Sequence, residues 1–408
     1  MTYKFRGTTT DYTEGATRWA ITSGQSSNNQ GKFYYLSNDT IVAATTYNSQ
    51  ETWLGAYNIW GVEARTGRAI RALGYGKNAS GDGIYIAAQT SHTANEFAIQ
   101  SGSAVEVVAG DPPSAADVNP WTLVDVTGSN SDQVQIFDVV WGADSGGAVA
   151  GTWMAVGEQS SDQAVYRSRD GGQNWQAIAV PSGDSSEDVH TIASNGSGTW
   201  AFVHDDGFYL STDDGATFTK STPFTMKRGV GIGYDKSNDT WIVSYITEDD
   251  GSSPPQVYHV RTCSGTDFTT WSSETDITGT AGTFDDVARR THFIRAYNGR
   301  VMIQPYSKAN HASRIAILDV NGTSISNLET IQFGGNSTDK SIRCSATDGI
   351  TWLIGTKGGD IYKSSDNAET WVQISVSLEG PTSPNYALLH IFQSISDMAM
   401  AADVYYPL

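Results

Sequence analysis

The chain has 408 residues, 38% hydrophobic and 11% aromatic, enough to bury a sizeable core and to exclude a disordered chain. Its formal net charge is −19, from 44 acidic and 25 basic residues. That balance excludes binding along a nucleic-acid backbone, which needs a basic face to release counterions, and it disfavours an anionic membrane surface.

The stretch from Met1 to Asp11 lacks the apolar core of a secretory signal, and no apolar run is long enough to span a bilayer. Short strands are predicted at Trp19–Thr22, Lys32–Leu36, Thr40–Tyr47 and Trp53–Ile59, then at Ile84–Ala88, Phe97–Gln100 and Trp121–Val126. From there one pattern recurs. A Thr-Trp strand opens at Thr152-Trp153, Thr199-Trp200, Thr240-Trp241 and Thr351-Trp352. A Tyr-bearing strand follows at Val165–Arg167, Phe208–Leu210, Val257–His259 and Ile361–Lys363. Turn dipeptides that tolerate positive φ, Asn195-Gly196, Asn298-Gly299 and Asp348-Gly349, mark hairpins in the same phase. A unit without the Tyr strand is read at His292–Tyr297, Arg300–Gln304, Arg314–Asp319 and Ile325–Ile331, and two more strands at Leu388–Phe392 and Met398–Ala402.

After each Tyr strand stands one phrase: Ser168-Arg-Asp170-Gly-Gly172-Gln-Asn-Trp175, Ser211-Thr-Asp213-Asp-Gly215-Ala-Thr-Phe218 and Ser364-Ser-Asp366-Asn-Ala368-Glu-Thr-Trp371. A worn copy runs from Ser264 to Trp271, with Thr266 in place of the Asp. The pattern S-x-D-x-G-x-x-aromatic resembles the Asp-box, or BNR repeat, of sialidase-like and sortilin-like β-propellers. In such a turn Asp accepts backbone N–H bonds, Gly supplies positive φ, Ser adds a hydroxyl bond and the aromatic fills the seam between layers. Ala368 in the Gly position predicts a strained or differently shaped third turn.

The resemblance implies an all-β fold, a single β-propeller of four-stranded antiparallel blades. Box serines 43, 53 and 100 residues apart place one boxless blade before the last box. Seven blades are predicted, with six and eight as neighbouring counts. Six phased blades span 69–377, and 1–68 with 378–408 form the closing blade, so that strands from both ends of 1–408 pair and seal one domain. The resemblance also puts the boxes on the outer rim, away from the channel, so Asp170, Asp213 and Asp366 are read as scaffolding.

Sialidases carry an arginine triad announced by Phe/Tyr-Arg-Ile-Pro, a Tyr nucleophile paired with Glu, and an Asp acid/base; Phe5-Arg6-Gly7-Thr8 keeps two of those four positions. The acidic pairs Asp205-Asp206, Glu248-Asp249-Asp250 and Asp285-Asp286 read as turn residues, and 44 acidic residues select no glycosidase pair. Asp144-Ser145-Gly-Gly147 is similar to the nucleophile stretch of trypsin-like proteases but reads as a flexible turn. His190 reads as a packed residue. Cys263 and Cys344 fall in non-neighbouring units and read as small apolar fillers, neither a disulfide nor a zinc site. Arg65, Arg68 and Arg71, and Arg289 and Arg290, read as solvated faces. The sequons at Asn38, Asn195 and Asn238 read as accidents of composition. No catalytic residue, cofactor or metal is assigned.

The functional expectation is a non-enzymatic docking or adhesion propeller. The acidic, Gly/Ser/Thr/Asn-rich composition is similar to that of appendage and tail-associated proteins of tailed phages, which leave the cell by lysis. Its partners would be other virion or appendage proteins, or a host surface glycan, met through Trp60, Tyr75 or Trp141. A glycan-active enzyme is the alternative, although Asp-box xyloglucanases use two propellers. An assembly factor like the Asp-box propeller of photosystem II comes last, because that family uses a basic patch.

Overall fold

In the computed structural model, side chains and connections are described for most of residues 134–376 and parts of 70–125; strand backbones are also described at 2–5, 18–25, 32–37, 50–51, 56–58 and 386–393. The chain is all-β apart from one 3-10 turn, Lys236–Asn238, among these residues. Its sheets are the four-stranded antiparallel blades of a propeller.

Five blades take four strands in simple succession. They begin with Val134–Gly142, Ile192–Ser194, Arg228–Asp235, Phe293–Tyr297 and Ile342–Thr347 and end with Gln176–Ala177, Thr219–Ser221, Thr275–Asp276, Ser324–Gln332 and Val372–Val376. This corrects the expectation of seven such blades. Two further four-stranded sheets are assembled differently. In one, Ile70–Lys77, Gly83–Gln89 and Glu96–Gln100 are joined by Trp121–Asp125, while the intervening Val105–Val108 pairs with Thr2–Phe5 instead. In the other, Tyr386–Gln393 pairs antiparallel with Arg18–Gln25, followed outward by Lys32–Ser37 and Ala56–Asn58. The expectation of purely antiparallel sheets also needs one amendment. Gln50–Glu51 adds to Val372–Val376 as a parallel fifth strand. The strands expected at Thr40–Tyr47 and Met398–Ala402 lie outside the described residues.

The first strand of each sheet lies innermost and packs against the first strand of the next. The succession runs from Ile70–Lys77 through the five regular blades to Tyr386–Gln393, which returns to Ile70–Lys77. Apolar clusters fill the seams between sheets. The Thr-Trp signature explains why: Trp153, Trp200, Trp241 and Trp352 hold one equivalent position on the second strand, and all are fully buried. Each such ring withdraws roughly 200 Å² from water, an upper estimate of about 5 kcal/mol at 25 cal/mol/Å². Trp153 donates its indole N–H to Lys77 O of the preceding sheet at 2.8 Å, so it also stitches the seam.

Candidate functional site

The three boxed turns close in the same way. Ser168, Ser211 and Ser364 donate to Asp170, Asp213 and Asp366 at 2.7–2.8 Å. Each serine oxygen also accepts the N–H four residues on, from Gly172, Gly215 and Ala368, at 2.9–3.0 Å. Each Asp then accepts both the backbone N–H and the side chain of the residue before the aromatic: Asn174, Thr217 or Thr370. The seventh position is therefore a bonding position, which the sequence pattern left open. It was findable, because two of three copies carry Thr there and the third carries Asn.

Burial would raise the Asp170 and Asp213 carboxyls, but these bonds more than offset it and hold both below the usual range. Asp366, bonded foremost by Thr370, is held down to about 2. All three are fixed anions with their oxygens committed inside the turn. Phe218 is buried in its seam, while Trp175 and Trp371 are half-buried. Of the two outcomes expected for the third turn, strain is the one found: the Ala368 turn keeps the shape of the others and takes φ +65 to do so.

A second set of polar side chains joins blade to blade. Asp214, at φ +59 within the second box, accepts the N–H and hydroxyl of Ser145 from the preceding blade at 2.7 and 2.8 Å. Ser145, compared above with a protease nucleophile, thus spends its hydroxyl on a tie. Its neighbour Asp144 is buried and ion-paired with Arg169. Asp235 is fully buried and accepts Gly299 N at 2.6 Å from the next blade.

Near the axis, innermost strands carry unpaired edges, and side chains of a neighbouring blade reach them. Asp138 accepts Ile192 N at 3.3 Å, Thr191 Oγ1 accepts Ile232 N at 3.2 Å, and Arg295 Nε donates to Ser345 O at 3.2 Å. Bulges interrupt the first strand at Ile136/Asp138, Gly229/Gly231 and Ile342/Cys344, and also at Ile70/Ala72. They re-aim side chains at the same end of those strands. Burial pushes the Asp138 carboxyl up to about 6, partly offset by the charge of Arg295 three blades away.

On the third regular blade a denser network forms. Tyr245 OH donates to Glu274 Oε2 at 2.6 Å and accepts from Arg261 Nε at 2.8 Å. His259 lies 3.4 Å from the same carboxylate, and Phe224 covers the Arg261 guanidinium at 5.0 Å. This is a Tyr–Glu–Arg group of the kind a sialidase needs, but burial and Glu274 hold the phenol protonated, opposite to an activated nucleophile.

Other expected positions resolve plainly. Trp141 is no loop platform: it ends an innermost strand, half-buried, with its indole N–H donated to Ala150 O. Trp60 lies outside the described residues, as do Asp205, Asp206, Glu248, Asp249, Asp250, Asp285 and Asp286. Tyr75 is on strand Ile70–Lys77, its side chain likewise outside them. His190 packs beside the Phe137 ring at 5.1 Å. Cys263 is buried, and the Cys344 side chain is not among those described. Among the described residues no three His, Cys, Asp or Glu gather as a metal site, and no helix is long and apolar enough to cross a membrane.

No family model matches the chain, and no curated protein matches it. Similar solved structures include YCF48 from Cyanidioschyzon merolae, at 12% identity and TM-score 0.44, covering 77% of this chain and 87% of that one. An ancestral GH74 enzyme is similar at 12% identity and TM-score 0.47, covering 90% of this chain and 46% of that one. A structure of a nidogen/laminin complex is similar at 9% identity and TM-score 0.45, covering 94% and 99%.

Proposed function

We propose that this chain is a non-enzymatic docking module: one propeller domain, with structural Asp-box turns, that presents its faces to a partner. Its setting is a virion appendage or tail-associated assembly of a tailed phage, released by lysis. The partner is a neighbouring virion protein or a host surface glycan. The phage setting is supported by composition alone, through an acidic chain rich in Gly, Ser, Thr and Asn.

The observation that carries the docking reading is how the blades use their polar side chains. Asp170, Asp213 and Asp366 are closed inside their turns. Asp214, Asp235, Asp138 and Arg295 join one blade to another. Tyr245 is held protonated. These groups stiffen a ring, and a stiff surface loses little entropy when a partner binds.

The test is a screen of the purified protein on sialosides and other glycans, beside sedimentation with purified particles. Docking predicts stable incorporation into a particle, or glycan retention without turnover. Turnover that is lost in Asp138→Asn but kept in Asp170→Ala would overturn it in favour of a glycan-active enzyme.

A further inference from the structure

Three Asn-Gly pairs occur in the chain: Asn195-Gly196, Asn298-Gly299 and Asn321-Gly322. Such a pair carries its own chemistry. The backbone nitrogen after an asparagine can attack the side-chain amide carbon, and a following glycine, with no Cβ, leaves that approach open. The attack requires the nitrogen to give up its proton and the asparagine side chain to swing onto it. The fold therefore selects which pair reacts, by where it sends each glycine N–H and each asparagine amide.

Two of the pairs are locked. Gly196 N donates to Ser194 Oγ at 3.0 Å, while Asn195 Oδ1 accepts the N–H groups of Ser197 and Thr199 at 2.8 and 3.1 Å. Gly299 N is buried and donates to Asp235 Oδ2 at 2.6 Å. A nitrogen bonded to a carboxylate resists losing its proton for two reasons: a charge-assisted bond must break, and a negative charge would form beside another. Asn321-Gly322 stands differently. It turns the hairpin between Arg314–Asn321 and Ser324–Gln332, whose ladder ends at the pair Asn321 and Ser324. Gly322, at φ +58, opens the two-residue loop outside that ladder. Asn321 is exposed, and among the described residues no hydrogen bond holds its side-chain amide or the Gly322 N–H.

We propose that Asn321 is a site of self-modification, deamidating in the folded protein while Asn195 and Asn298 are protected. The Gly322 nitrogen, its proton taken by hydroxide, bonds to Asn321 Cγ. The side-chain nitrogen leaves as ammonia, and a five-membered succinimide remains. Water then opens the ring. Opening at the side-chain carbonyl gives aspartate. Opening at the main-chain carbonyl gives isoaspartate, which adds one carbon to the backbone at the pair that closes the hairpin. Either product adds a negative charge to a chain already at −19. The inference does not rest on the docking reading above and is tested without any partner.

Peptide mapping by mass spectrometry, after incubating the intact folded protein at mildly alkaline pH, reads all three positions in one sample. Asn321 is expected to convert about tenfold or more faster than Asn195 or Asn298, the difference that one retained hydrogen bond makes to a rate. In guanidinium chloride the bonds to Gly196 and Gly299 are lost, and the three rates are expected to converge. Asn321→Gln is expected to remove the conversion at this position, because the longer side chain cannot close the five-membered ring, and to leave the urea midpoint unchanged. Folded protein in which Asn195 or Asn298 converts as fast as Asn321 would overturn the proposal. So would an Asn321 that stays intact in the folded protein while the unfolded chain reacts, or a preference for Asn321 that persists undiminished in guanidinium chloride.

Discussion

Ala368 holds φ +65 in a turn where Gly172 and Gly215 hold +84 and +75. A Cβ in the left-handed region costs roughly 1–2 kcal/mol, and burying the methyl returns about 0.8 kcal/mol. Ala368→Gly is therefore expected to stabilise the fold by about 0.5–1 kcal/mol, read as a higher urea midpoint at constant m. A lower midpoint would mean that the methyl packs better than the strain costs. Asp138 makes the opposite kind of contribution. Burial raises its carboxyl to about 6, so between the unfolded value near 4 and about 6 the native state binds the extra proton. Stability from this group thus falls as pH rises through that window and is flat above it. The full shift is worth about 3 kcal/mol, discounted to about 1–2 kcal/mol because Asp138 keeps some surface open to solvent. Asp138→Asn keeps an acceptor for Ile192 N, so it is expected to remove that slope and to raise stability at pH 8 by about that amount. An unchanged pH profile between 4 and 6 would show that the carboxylate is adequately solvated.

At the scale of the strand, what could be read from sequence divides by position in the blade. Second and third strands were legible because Thr-Trp and Tyr signatures sit on apolar runs buried on both sides, as in Trp200–His204 and Thr240–Ile246. Among innermost strands, His292–Tyr297 and Leu388–Phe392 were legible, but those of the other regular blades were not placed, and crowding at the axis is the reason. Arg228–Asp235 alternates glycine with other residues, and a Cβ on Gly233 would come within 2.7 Å of Ile294 in the next blade. On Gly76 it would meet Trp141 at 2.2 Å. Innermost strands need glycine where neighbouring blades converge, and glycine reads as a turn. The boxed turns were legible because every bond in them spans four residues or fewer. The ties were not: Ser145 and Asp214 stand 69 residues apart, Asp138 and Ile192 stand 54 apart, and nothing local in either partner announces the other.

At the scale of the molecule, one seam has no covalent continuity. Tyr386–Gln393 pairs with Arg18–Gln25 over seven positions, with one register shift at Thr22/Ser23, and lies innermost between Ile342–Thr347 and Ile70–Lys77. Within the five regular blades a lost strand would leave its neighbours tethered by a short connection. Here the pairing joins segments more than 360 residues apart, and its loop-closure entropy is repaid only when the whole ring is assembled. Without that strand the ring exposes two sheet faces and an innermost edge, and its blades are left as a linear stack whose stability is a sum over neighbours. Deleting residues 386–408 is therefore expected to broaden urea unfolding, lower m and speed proteolysis within 18–58, while the boxed turns of the middle blades keep their slow amide exchange. A synthetic peptide covering 386–393, supplied in trans, is expected to restore the sharp transition. A truncated chain that unfolds with the wild-type midpoint and m would show that the blades do not depend on the closing strand.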